Sequence, residues 1–275
     1  VEPPADLDVD LALPILTGFN DEVVGNAALK LSVRSREIRT VDFNGRIGRE
    51  PISLQHTRDG DGRRLRVSSS DGGALLRYLD IYRRAYGGDL VLDARPAAES
   101  AIGEIAFRNF RVQGEPALRR VLGEQFVQQS ADGVRVSRPR DAGNNVEFSQ
   151  LKANFTRTPT RVDIRNGVII GNEIGVSGQG FIDYGRDRTD IAGTFVPGFI
   201  LNNAFAQVPI LGPLLGGGQN EGMFAVNFRV SGPASAPSMS INPLSAIAPG
   251  ILRRFVDPLG GAVNGTGTVP QSPAP

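Results

Sequence analysis

Side chains suited to chemistry are few and scattered. His56, the only histidine, stands in PISLQHTRDG beside a DGDG turn, and the chain has no cysteine. Neither a Cys/His pair nor a multi-histidine metal cluster can therefore be assembled. In that setting His56 reads as a surface-loop histidine. No G-x-S-x-G elbow presents a serine nucleophile. Asp183, Asp187 and Asp190 in IDYGRDRTD offer paired carboxylates, but on a polar strand face or turn they read as solvated charges exchanged with Arg186 and Arg188. Asp59 and Asp61 suggest calcium until the missing later ligands of an EF-hand are noticed, which leaves DGDG as a hairpin turn. GGGQNEG, Gly216 to Gly222, lacks the Lys-Ser/Thr ending of a phosphate loop and leads into a strand, so it too reads as a turn. Arg63, Arg64 and Arg66 in GRRLRV could touch phosphates of nucleic acid or lipid headgroups; in an alternating strand they describe a wet face. The expectation is a protein with no catalytic residues, no metal site and no cofactor, and not an enzyme.

Composition narrows the remaining classes. The chain has 275 residues, enough for one elongated β domain or two ordinary ones, and a formal net charge of +1. That charge provides no global field for nucleic acid, and the sequence has neither a broad basic stripe nor stacking aromatics. Lys30 and Lys152 are the only lysines, a bias for which we have no physical account. The absence of cysteine excludes a disulfide framework. The opening VEPPADLDVD lacks the basic and apolar regions of a secretory signal. Together with the tail GGAVNGTGTVPQSPAP, this leads us to expect an excised portion of a longer protein.

The elements that must position any site are mostly strands. DLDVDLAL alternates Leu7, Val9, Leu11 and Leu13 against acids; ALKLSVRS puts Leu29, Leu31 and Val33 on one face; TVDFNGRIG repeats this with Val41 and Phe43. GEIAFRNFRV, VEFSQLKANF, TRVDIRNGVII, EIGVSGQGFIDY, TDIAGTFV and GMFAVNFRVSG continue the pattern. Such segments at roughly ten-residue intervals predict antiparallel strands in hairpin succession, each with one apolar and one polar face. Asn166-Gly167 reads as a two-residue hairpin turn. Three segments carry helical spacing. The first spans about 71–87, with Asp71 as N-cap, apolar Leu75, Leu76, Leu79, Tyr82 and Tyr86, and a Gly87-Gly88 stop. The second is EPALRRVLGEQF, with Pro116 in the first turn and Leu118, Val121, Leu122 and Phe126 on one side. The third is PLSAIAPGILRRFVDP, with Ile247, Ile251, Leu252 and Phe255 opposite Arg253 and Arg254. These helices cover little of so many one-sided strands, which must fold over on themselves or leave a lined trough. NFRVQG at Asn109–Gly114 recurs as NFRVSG at Asn227–Gly232, each closing a strand with glycine.

One stretch demands a destination: Ile191 to Asn220 contains no charged side chain, in a chain where 21% of residues are charged. A spanning helix needs roughly 20 mainly apolar residues with an intact backbone ladder, and Pro197, Pro209 and Pro213 interrupt this one. Two short amphipathic pieces, Phe199 to Ala206 and Ile210 to Leu215, fit better, either as ordinary core or as a contact with something greasy.

Three segments in fixed order carry a resemblance: DGGALLRYLDIYRRAYGGDLVLDA, EIAFRNFRVQGEPALRRVL, and GTFVPGFILNNAFAQVPILGPLLGGGQNEGMFAVNFRVSGPASAPSMSINPLSAIAPGILRRF. They resemble the C-terminal region of the AsmA-like family, in particular its large YhdP-type members from Gram-negative bacteria. The likeness runs from about Gly25 to Phe255 and is most specific from Gly193 onward. It implies a mainly β fold: an elongated, curved antiparallel sheet forming an apolar groove, taco-like or a partly open barrel, with a few short amphipathic helices. The groove region would be residues 1–256, with 193–256 capping its end and 257–275 a flexible tail.

The function the resemblance implies is bridge-like lipid transfer in the periplasm, with an N-terminal segment outside this chain anchoring the protein in the inner membrane. Phospholipid acyl chains would slide towards the outer membrane, supporting its biogenesis. Phe195, Phe199, Ile200, Leu201, Phe205, Val208, Ile210, Leu211, Leu214 and Leu215 would then cap the groove, line its exit or dip into a membrane surface. The alternative is a non-catalytic β-rich docking module for an outer-membrane or periplasmic protein, using strand edges and the apolar stretch. Whether the apolar strand faces are open or close-packed separates the two.

Overall fold

The structure, a computed structural model, describes residues 6–60, 62–123, 143–197 and 226–242. The strands are β1 (Leu7–Thr17), β2 (Val23–Arg34), β3 (Glu37–Ile47), β4 (Glu50–Asp59), β5 (Gly62–Ser69), β6 (Ala85–Tyr86), β7 (Asp89–Pro96), β8 (Ala101–Gln113), β9 (Asn145–Arg157), β10 (Arg161–Gly171), β11 (Ile174–Asp183), β12 (Arg188–Pro197), β13 (Val226–Gly232) and β14 (Ser238–Asn242). Two helices, α1 (Gly72–Tyr78) and α2 (Pro116–Gly123), interrupt the succession. All strands belong to one 14-stranded antiparallel sheet in sequence order, with β6 beside β8 in line with β7. The sheet is curved and does not close: among the described residues β1 pairs only with β2 and β14 only with β13.

The meander gives the sheet two different rims. At one, which we call the hairpin rim, short turns join β2 to β3, β4 to β5, β7 to β8, β9 to β10, β11 to β12 and β13 to β14. At the other, the helical rim, the connections carrying α1 and α2 depart, as does the link from β12 to β13. That link contains the uncharged stretch beyond Pro197, which lies outside the described residues together with the third helical segment and the tail.

Local chemistry explains where alternation breaks. Asn26, Asn109 and Asn166 have φ of 50°, 53° and 50° within strands, a conformation asparagine tolerates better than most residues. The Asn166-Gly167 hairpin expected from the sequence is instead a bulge inside β10: the strand pairs with β9 and β11 on both sides of it, with a register shift between Ile164 and Gly167. The bulge keeps Ile164 and Ile169 on one face although they are five positions apart, a spacing that regular alternation would put on opposite faces. Asn109 does the same for Phe107 and Phe110, whose rings stack at 4.0 Å, with Phe148 next at 5.2 Å. The NFRV-x-G repeat has a common role, with Gly114 (φ 64°) and Gly232 (φ 111°) both leaving their strands in the left-handed region.

The first helix is shorter than the 71–87 segment predicted. Asp71 caps it as expected, its carboxylate accepting from the Ala74 amide at 2.8 Å. The helix nevertheless ends at Tyr78; Asp80 adopts φ 54°, and Ala85–Tyr86 pairs with Val112 and Arg111 of β8. That ladder, together with Gly72 and Gly73 amides donating to the Gly88 and Gly87 carbonyls, satisfies backbone groups that a longer helix would leave away from the sheet. α2 begins at Pro116 and buries Leu118 and Leu122, as its spacing predicts.

Candidate functional site

Cross-strand register assigns every strand a face, because residues directly opposite in an antiparallel pair point the same way. One row runs Leu11, Leu29, Phe43, Leu54, Val67, Leu92, Ile105 and Ala153 across β1 to β9. It continues through Ile164 or Ile169 in β10, Val176 in β11, Phe195 and Ile191 in β12, Phe228 and Val230 in β13, and Ile241 and Met239 in β14. One continuous apolar row therefore crosses every long strand on a single face of the curved sheet.

The other face is predominantly polar and internally paired. Asp93 takes Arg64 at 2.6 Å and Arg66 at 3.0 Å; Asp163 takes Arg161 at 2.6 Å, and Asp190 takes Arg229 at 2.7 Å. Hydrogen bonding from these arginines holds the three carboxyls below the usual aspartate range. These pairs revise the charge reading of IDYGRDRTD for Asp187 and Asp190, while Asp183 keeps Arg186 as its ion-pair partner at 3.9 Å as expected. Asp190 pairs with Arg229 of β13, Asp187 accepts from Ser235, and Asp183 is buried, accepting the Arg186 amide at 2.9 Å. The carboxylates are spread along a turn and a strand, each with its own partner.

Packing differs between the two rims. Near the helical rim the apolar face is a packed core: Val24, Ala27, Ile47, Ile52, Phe107, Phe110, Val146, Phe148, Ile174 and Phe195 are buried with Ala74 and Leu75 of α1. Glycine permits this closeness, since a Cβ at Gly72 would meet Phe107, and one at Gly193 would collide with Phe228. Further along the strands, Val9, Leu29, Leu31, Val41, Phe43, Leu54, Leu65, Val67, Leu92, Ile105, Leu151, Phe155 and Ile164 are only half-buried. The interior of a close-packed sandwich would bury such side chains almost completely. Here neighbours flank them within the sheet, but among the described residues no second layer seals them.

Of the residues singled out in the uncharged stretch, only Phe195 is described. It lies on the apolar face, 5% exposed, with its ring 4.4 Å from that of Phe228, so it belongs to the packed end of the trough. Phe199, Ile200, Leu201, Phe205, Val208, Ile210, Leu211, Leu214 and Leu215 lie outside the described residues. In the sequence the longest apolar run outweighs the half-buried row, whose apolar residues are spread one or two to a strand. The row's signal is the alternation itself, repeated in every strand.

His56 needs correction. It is not on a surface loop: it lies within β4, opposite Val41 and Leu65, on the apolar face and 9% exposed. Its Nδ1 has no hydrogen-bond partner among the described residues. Burial first, and Arg63 second, push its pKa below the ordinary histidine value. The wet-face reading of GRRLRV is also only partly right. Arg64 and Arg66 are on the polar face with Asp93, whereas Arg63, in phase with Leu65 and Val67, extends the apolar row to the hairpin rim.

Among the described residues there is no cluster able to hold a metal ion, and no helix long and apolar enough to cross a membrane. No family model matches the chain, and no curated protein or solved structure matches it.

Proposed function

We propose that the protein carries phospholipid along the apolar face of its sheet, as the AsmA-like resemblance implies, within the periplasm of a Gram-negative envelope and towards the outer membrane. The supporting observation is the continuous apolar row from β1 to β14, left half-buried through its middle. Each methylene taken from water is worth about 0.8 kcal/mol, so an acyl chain on this row supplies an apolar layer that the described residues do not provide there. Headgroups stay in water along the open side of the curved sheet. Transport is passive sliding, and its direction is set elsewhere in the envelope.

The test is to purify the chain without detergent, extract it with organic solvent and analyse the extract by mass spectrometry. Recovery of phospholipid from the wild type, with depletion in a folded Leu92→Asp variant, is the expected result. A folded, lipid-free wild type would overturn the reading in favour of a docking module. The observation behind that second reading is the free edge of β1, where Leu7, Leu11 and Ile15 are 51%, 41% and 65% exposed.

A further inference from the structure

The trough changes character at the hairpin rim of β3 to β5. Glu37, Ile38, Arg39 and Thr40 of β3, Arg58 of β4, and Gly62 and Arg63 of β5 surround a cleft of about 320 Å³. Arg58 is directly opposite Arg63, one inward-facing pair beyond His56 and Leu65. Both arginines therefore extend the apolar row. Like charges directly opposite on a ladder repel, and their partners only partly answer them. Glu37 reaches Arg63 at 2.8 Å and Arg39 at 3.9 Å. The Arg58 side chain has no ion pair or hydrogen bond among the described residues. The arginines on the opposite face of the same hairpin differ: Arg64 and Arg66 share Asp93 at short range. Among the described side chains, the cleft thus gathers three guanidinium groups and one carboxylate.

We propose that this cleft binds the anionic phosphate headgroup of an amphiphile whose acyl chain lies on the adjoining trough. This rests on the lipid-groove reading and adds a headgroup preference to it. Guanidinium forks match phosphate oxygens and form charge-assisted hydrogen bonds with them. A phosphate beside Arg58 and Arg63 also turns their mutual repulsion into shared attraction. Immediately inward on the same face lie half-buried Leu65, Val41 and Leu54, so head and tail sites are contiguous. A zwitterionic headgroup brings its own ammonium into the cleft and loses much of the gain; a net-negative one does not.

The experiment is calorimetric titration at low salt with monomeric short-chain phosphatidylglycerol, the matching phosphatidylcholine, and inorganic phosphate alone. Wild type is expected to bind the anionic lipid about tenfold more tightly than the zwitterionic one, the size of effect one charged hydrogen bond provides. R58Q should erase that preference, weakening phosphatidylglycerol binding far more than phosphatidylcholine binding, and R64Q on the polar face should keep it. Equal affinity of wild type for the two lipids overturns the headgroup site and leaves the groove intact. Inorganic phosphate binding as tightly as the anionic lipid overturns it in favour of a free-anion site. Failure of both lipids to bind overturns the groove reading as well.

Discussion

On the proposed lipid-carrying function, a charge placed on the apolar row should slow lipid movement by a calculable factor. Ile105 is the position of choice: it is half-buried on the apolar face, flanked across the ladder by Leu92 and Ala153, and its neighbour Ala106 faces the other way. A chain sliding along the trough crosses the strands, which are about 4.8 Å apart. One strand width therefore holds about four methylenes. With aspartate at position 105, a carboxylate and its water replace the apolar floor over that width. At about 0.8 kcal/mol per methylene, the crossing costs roughly 3 kcal/mol. Since 1.4 kcal/mol is tenfold in rate, transfer of fluorescent phospholipid between donor and acceptor vesicles should slow by about two orders of magnitude in Ile105→Asp. Ala106→Asp should transfer at the wild-type rate. Both variants should be checked for cooperative thermal unfolding before the comparison is made. A folded Ile105→Asp protein that transfers lipid as fast as wild type would refute the argument, because the lipid would then not be crossing this floor.

Three further outcomes follow from the packing. His56 has a folded-state pKa below its ordinary value of 6.5. Above that value it is neutral in both folded and unfolded chains; as pH falls through 6.5 towards the lowered value, the unfolded chain takes the proton first and stability drops. Urea unfolding at pH 7.5 and 5.5 should show this loss in wild type and not in His56→Leu, which also removes an unpartnered buried nitrogen worth about 1–3 kcal/mol. Asp71→Ala should cost about 1 kcal/mol in the same assay by uncapping α1, whereas a cost under 0.3 kcal/mol would mean that packing alone holds the helix. Gly193→Ala places a Cβ against the Phe228 ring and the Ser177 carbonyl oxygen; overpacking of this kind costs about 1–3 kcal/mol, and an unchanged melting temperature would contradict the assigned register.

Most of the strands, their hairpin succession and the polarity of their faces are legible in the sequence, because a period of two in side-chain character is dictated by the pleat and survives in each strand separately. Asp71 and Pro116 marked helix starts for a similarly local reason: a cap and a fixed φ act on the turn that contains them. The failures all involve partners distant in sequence. Asn166-Gly167 can form a turn or a bulge with equal ease, and pairing of β10 on both sides chose the bulge. Helical spacing from Leu75 to Tyr86 competed with a ladder to β8, and the ladder won from Ala85 onward. His56 was judged by the polar turn that follows it, while its burial depends on Val41 and Leu65 from neighbouring strands. Alternation also leaves open whether apolar faces meet each other or face an unfilled trough. That choice belongs to the tertiary structure, because sheet curvature and the positions of α1 and α2 determine which side chains acquire a second layer.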